Sequence, residues 1–260
     1  MAKKYYQLNT NQLRVLGLLY KFRFVTVPLL QEYLGHKHPT TIRNTLRTLQ
    51  EQSLIVRVLD TSYIKLARPA HYFLDKAGLK LLSEDPNTDK QVLHSYYKNR
   101  VLSDDAVLHN LAVMTANNAI SANNPNTFDI FTKYELNSFS EFPEQKPDLY
   151  LHSQDGKTEY FIVLAHDSQL FITKKRLQQI VEHSEDEGWN SRKYPSLLYI
   201  MHTSSQESQL LDFGFKLLEN AGIGEDELQI ATSTYKAVSS KPYASNIWTF
   251  IGSEAPKALE

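Results

Sequence analysis

Thr40-Thr41-Ile42-Arg43-Asn44-Thr45-Leu46-Arg47-Thr48-Leu49-Gln50 is the stretch on which the fold turns. Ile42, Leu46 and Leu49 stand at i, i+4 and i+7, so they share one side of a helix and leave Arg43, Asn44, Arg47 and Gln50 on the other. Thr40 or Thr41 supplies its N-cap. Such a helix packs on one side and offers the other to a polyanion, because Arg can pair bidentately with guanine and Asn with adenine.

The residues before it supply two more helices. Leu13, Leu16, Leu19 and Tyr20 recur at helical spacing behind Asn9 or Thr10, which predicts a first helix near Thr10 to Lys21. Thr26 caps a second, short helix with Pro28 in its first turn, running through Leu29, Leu30, Tyr33 and Leu34 until Gly35 stops it. His36-Lys37-His38-Pro39 makes the turn into the third. After it, Leu54 to Leu59 has strand composition, Asp60-Thr61-Ser62 can turn the chain, and Lys65 to Leu74 can return as a second strand. Three helices followed by such a hairpin make a winged helix-turn-helix. In that fold the third helix enters the major groove and the wing, here carrying Arg57, Lys65, Arg68 and His71, neutralises phosphates.

Charge supports the same reading. The first 80 residues carry 13 Lys and Arg against Glu32, Glu51, Asp60 and Asp75, a surplus of nine positive charges; because the whole chain is −1, the remainder carries −10. A near-neutral chain is thus a basic module joined to an acidic one, the footprint of a nucleic-acid-binding domain with a partner or regulatory body attached. With no cysteine there is no disulfide framework and no thiolate metal site, which is compatible with a reducing cytoplasm. No apolar run approaches the roughly 20 residues that span a bilayer, and Met1-Ala2-Lys3-Lys4 leads into no signal-peptide core. The expectation is a cytoplasmic protein with no membrane partner.

A short helix around Asp75 to Leu82 closes the first domain, and Ser83-Glu84-Asp85-Pro86-Asn87-Thr88-Asp89 has linker composition. Residues 91–100 are open to either a helix or an arm. The expected organisation is a DNA-binding domain over 1–82, a linker or arm over 83–102 and a second domain over 103–260. That second domain opens with a helix carrying Asp104 and Asp105 in its first turn and then alternates strands with helices. Strands are expected at Phe128 to Phe131, Leu149 to Leu151, Tyr160 to Leu164, Leu197 to Met201, Leu228 to Ala231 and Ile247 to Phe250, with helices over Leu170 to Glu185 and Gln206 to Asn220. The class is α+β, a winged helix-turn-helix followed by an α/β domain with a mixed sheet.

The helical opening, the helix carrying His109, the segment Lys146-Pro147-Asp148-Leu149-Tyr150-Leu151 and the strand Tyr160 to Ala165 ending at Asp167 occur in that order. Taken together they resemble the replication-relaxation proteins of plasmids and mobile elements. The resemblance implies that the second domain is similar to a PD-(D/E)xK nuclease core, with Asp148 as the first acid of its motif. The motif then breaks: Ala165 stands where an acid is expected and Asp167 where a lysine is. Glu135, Asp148 and Asp167, with Lys174 or Lys175, are the candidates for an unorthodox metal site, since Mg²⁺ needs convergent oxygens and a cation to help activate water.

No glycine-rich phosphate loop, Gly-x-Ser-x-Gly elbow or His-Glu-x-x-His pair occurs. Tyr96-Tyr97 lacks the His or Arg set of a nicking enzyme and is assigned to packing. The expectation is therefore a protein that is not an enzyme and holds no cofactor or metal. It would bind double-stranded DNA sequence-specifically through Thr40, Thr41, Arg43, Asn44, Arg47, Arg57, Lys65 and Arg68. Its place would be at an origin or transfer site in replication, relaxation or mobilisation, as a homodimer or with a replication or relaxase protein. A transcriptional repressor and a metal-dependent nuclease are the alternatives.

Overall fold

The computed structural model describes residues 6–59, 68–166, 168–185, 189, 193–224, 226–253 and 255–259. Helix α1 (Thr10–Phe22) begins at Asn9, whose side chain accepts from the Gln12 amide at 3.0 Å while the Gln12 side chain accepts from the Asn9 amide at 2.9 Å, a reciprocal capping box. Its buried stripe is Val15, Leu18, Leu19 and Phe22, spaced i, i+3, i+4 and i+7, together with Leu16. That phase leaves Leu13, expected inside, 53% exposed. After the two-residue strand β1 (Val25–Thr26), helix α2 (Val27–Tyr33) is capped by the Thr26 hydroxyl, and Gly35 takes the positive φ of 66° that ends it. Helix α3 (Thr40–Glu51) buries Ile42, Leu46 and Leu49. Its N-cap position is held by Pro39, whose carbonyl accepts from Arg43, and Thr40 and Thr41 lie in the first turn instead of capping it.

Strands β2 (Ile55–Val58) and β3 (His71–Leu74) pair antiparallel from Ile55↔Leu74 to Val58↔His71. The turn expected at Asp60-Thr61-Ser62 and the site residue Lys65 lie outside the described residues. Strand β1 joins the other side of β3 through Val25↔Tyr72, so the sheet order is β1-β3-β2. Being central, β3 is buried along its whole length, and His71 is only 4% exposed, edge-on to Phe24. It therefore cannot decorate the surface as its sequence position suggested.

Helix α4 (Lys76–Leu82), capped by Asp75, is followed by α5 (Lys90–Tyr96), capped by Asp89. The segment around α5 is bound to α1: the Asp89 amide donates to the Tyr20 hydroxyl at 2.9 Å, the Tyr96 hydroxyl donates to the Tyr20 carbonyl at 2.6 Å, and Arg23 Nε donates to Asn99 at 2.7 Å. Helix α6 (Asp104–Asn123) follows. The chain divides into compact units Met1–Met114 and Thr115–Glu260, so the division lies inside α6 and not in the 83–102 stretch that composition marked as a linker. The acidic, turn-rich run is short, and the apolar residues Val92, Leu93 and Tyr96 just beyond it are buried.

The second unit is built on a six-stranded mixed sheet. Strand β5 (Leu149–Ser153) runs antiparallel to its two neighbours, β4 (Phe128–Thr132) and β6 (Glu159–Leu164). Helix α7 (Leu170–Glu185) leads to β7 (Ser196–Met201), parallel to β6, and α8 (Ser204–Ala221) leads to β8 (Ile230–Thr234), parallel to β7. After α9 (Tyr235–Ser239), the two residues of β9 (Thr249–Phe250) close the order β4-β5-β6-β7-β8-β9. Leu177, Ile180 and Val181 of α7 and Leu210 and Leu218 of α8 pack in one cluster with Phe161, Val163, Leu197 and Tyr199. The α+β class with a mixed sheet is thus observed, and β8 starts two residues later than its apolar run.

Two glycines in helices have opposite surroundings. A Cβ on Gly17, exposed on α1, would meet nothing, whereas one on Gly78 in α4 would overlap the backbone carbonyl oxygen of Leu54. Gly17→Ala should stabilise the chain by roughly 0.5–1 kcal/mol, the helix-propensity difference, and Gly78→Ala should destabilise it despite the same propensity gain. Urea titration of both variants checks the opposite signs.

Candidate nucleic-acid interface

The apolar triad of α3 fixes which of its side chains meet solvent. Thr40, Thr41, Arg43, Asn44, Arg47 and Gln50 are all exposed, and Thr45 and Thr48 are half-buried. The Thr45 hydroxyl donates to the Thr41 carbonyl at 3.0 Å and the Thr48 hydroxyl to the Asn44 carbonyl at 3.1 Å, so both hydroxyls are engaged with the helix's own backbone. Arg47 Nε lies 4.0 Å from Glu51 with both side chains largely exposed, a contact that water screens. Helix α3 packs on α1, α2 and β2. Arg57, on β2, is exposed and Arg68, ahead of β3, is half-buried, so both lie in the same unit as α3. Lys65 is outside the described residues.

The second unit holds the acid singled out by sequence. Asp148, immediately before β5, is 1% exposed. Its Oδ1 is 3.1 Å from Lys133 Nζ, and its Oδ2 accepts from the Leu164 amide at 2.9 Å and lies 3.7 Å from Arg176 Nη1. Arg176 Nη2 also donates to the Lys146 carbonyl at 2.7 Å. The sheet explains the convergence: continuing the β4–β5 pairing by one step sets Lys133 opposite Asp148, and the Asp148 amide donates to the Ile162 carbonyl of β6 at 2.9 Å. Val163 of β6 pairs with Tyr199, and Tyr199 with Thr232. Tyr199 is fully buried; burial raises its phenol, and nearby Arg176 pulls the other way.

Burial works to discharge Lys133, but the Asp148 carboxylate beside it and the neighbouring Tyr134 together outweigh burial and hold the ammonium above the ordinary lysine value. Asp148 is therefore neutralised by two cations of its own chain and a backbone amide. Glu135, the second candidate acid, is engaged elsewhere, its Oε2 accepting from the Thr132 amide at 2.8 Å and the Thr132 hydroxyl at 3.2 Å. Asp167 lies outside the described residues. Among the described residues, no three His, Cys, Asp or Glu side chains are grouped to hold a metal ion. Lys174 faces the Phe213 ring at 5.2 Å and Lys175 is exposed, so the cation that α7 sends to Asp148 is Arg176, which the motif did not single out. Only a register for β4–β5 and a rotation for α7 could have named Lys133 and Arg176.

The sequence model of the replication-relaxation family matches residues 16–179, more than half of the 260-residue chain. The chain belongs to the replication-relaxation family. A search of the curated proteins and one of the solved structures each found no match. The span matched in this replication-relaxation protein takes in α3, Asp148 and Arg176 and stops short of β7, β8 and β9. No helix among the described residues is long and apolar enough to cross a membrane.

Removing Asp148 leaves two cations without their partner in a buried setting. Asp148→Ala should lose about 3–5 kcal/mol of stability, whereas Lys133→Met with Asp148→Leu should lose less, because breaking a buried pair costs more than replacing both members. Chemical denaturation of the two variants decides it. The Lys133 contribution also has a defined pH window: because its folded pKa lies above the ordinary 10.5, that stability is complete below about pH 10.5 and is lost as the pH rises through the folded value. The stability gap between the native chain and Lys133→Met should narrow above that pH and stay constant between pH 7 and 9.

Proposed function

We propose that this protein is a sequence-specific duplex-DNA-binding accessory factor acting at an origin or transfer site in the replication, relaxation or mobilisation of a plasmid or mobile element. The observation that carries the reading is the exposed face of α3, with Thr40, Thr41, Arg43, Asn44 and Arg47 displayed opposite a buried apolar triad in the basic unit. The order α1, α2, α3, then β2 and β3 supports treating the first unit as a winged helix-turn-helix, with Arg57, Lys65 and Arg68 as wing cations. Membership of the replication-relaxation family supports the mobile-element setting.

The second unit, in this reading, is a nuclease-like core that has given up catalysis and docks a second copy or a replication or relaxase component. A phosphodiesterase needs its carboxylates available to a divalent cation, and the side chain of Asp148 is already committed to Lys133 and Arg176. The acidic balance beyond residue 80 would steer a basic partner, with association that weakens as salt rises.

The test is an electrophoretic shift of the full chain on tiled fragments of its host element, repeated with Mg²⁺ and Mn²⁺. If about five phosphates are neutralised, log affinity should fall against log salt with a slope of about −4 to −5. Specific retention of an origin or transfer fragment, without cleavage, is the expected outcome. Absence of any shift at low salt would end the DNA-binding reading, and nicking that Asp148→Ala abolishes while the variant stays folded and still binds DNA would replace it with a nuclease.

A further inference from the structure

Arg43, Asn44 and Arg47 look equivalent in sequence, but the rotation of α3 separates them. At about 100° per residue, the direction opposite Ile42, Leu46 and Leu49 passes close to Thr40, Asn44 and Glu51, with Arg47 about 50° from it and Arg43 about 90° away. Thr40, Asn44, Arg47 and Glu51 therefore form one line along the helix, at i, i+4, i+7 and i+11. Arg43 and Gln50 lie together on one flank, and Thr41 and Thr45 on the other. All four members of the outward line are exposed.

The charges on this line decide what it can touch. Thr40 and Asn44 are neutral, and Arg47 stands 4.0 Å from Glu51, so the line carries no net charge. A surface that grips phosphates carries unopposed cations, and an acid on it is repelled by the DNA backbone. A neutral line of amide, guanidinium and carboxylate instead matches the donor and acceptor pattern of base edges, which phosphate gripping does not require. Arg43 beside the line, and Arg57 on β2, are exposed cations with no ion pair to another of the described residues.

Resting on the DNA-binding reading above, we infer that Asn44 and Arg47 are the specificity-determining residues, reading an adenine and a guanine in adjacent base pairs. Arg43 holds a flanking phosphate, and Glu51 disfavours DNA that offers Arg47 no guanine. Asn44 and Arg47 are separated by about 4.5 Å along the helix axis, close to the roughly 3.4 Å rise of one base pair, which sets the two bases next to each other. Glu51 is a positioning residue: its carboxylate, 4.0 Å from Arg47 Nε, penalises contact of that end of the helix with the DNA backbone.

The full chain should be used to select from a duplex library with a randomised core, and its affinity then measured on the selected site and on a scrambled duplex. The native chain should enrich a motif containing an adjacent adenine and guanine. Asn44→Ala should lose the adenine preference by about tenfold or more, and Arg47→Ala and Arg47→Lys the guanine preference by a similar factor, since lysine lacks the bidentate fork. Arg43→Ala should keep the motif, weaken both duplexes by the same factor and lower the salt slope by about one. Glu51→Gln should bind the scrambled duplex more tightly and discriminate less. An unchanged motif in Asn44→Ala and Arg47→Ala, or a base preference lost in Arg43→Ala, would overturn the assignment while leaving DNA binding intact. A native chain that binds no duplex would remove the DNA-binding reading and this assignment with it.

Discussion

The burial of Ile42, Leu46 and Leu49 against the first unit is the constraint on which the functional reading depends, because it fixes the rotation of α3 about its own axis. A helix with one apolar stripe has one way to face its neighbours, and every polar side chain then takes a determined direction. The outward line of Thr40, Asn44, Arg47 and Glu51 and the flanking place of Arg43 follow from that single choice. The capping box at Asn9, the Thr26 cap and the positive φ at Gly35 set the ends of the two helices on which α3 rests.

The second unit shows the same logic applied to charge. A carboxylate at the start of β5 is a costly thing to bury, and the fold compensates with Lys133, Arg176 and the Leu164 amide. Once those partners are in place, the carboxylate serves as the centre of a closed ion cluster that ties β4, β5, β6 and α7 together. Asp148, which sequence offered as a candidate metal ligand, has Lys133 and Arg176 as its cations.

Much of this was legible in the residues. The three helices over 10–51 were readable from their apolar spacing, with caps for the first two and a glycine stop after the second, although the third is not capped by Thr40 or Thr41, and the strands of the second unit because runs such as Tyr160 to Leu164 and Leu197 to Met201 are apolar throughout. What stayed hidden depends on partners far away in the chain. Strand β1 has two residues and exists only because β3 pairs with it. His71 looked like a surface residue until β3 became the central strand. The stretch before α5 has the composition of a linker, yet Asp89 and Tyr96 are hydrogen-bonded to Tyr20 of α1. Lys133 and Arg176 belong to no motif, and only the β4–β5 register and the orientation of α7 bring them to Asp148.

The central claim is that duplex DNA meets this protein on the outer face of α3. Amide hydrogen exchange of the full chain, with and without a retained duplex, tests it without altering a residue. New protection should concentrate over residues 40–51 and 55–58, with the segments around β5 and β6 unchanged by DNA. Protection centred on residues 128–164, with 40–51 unaffected, would contradict the account.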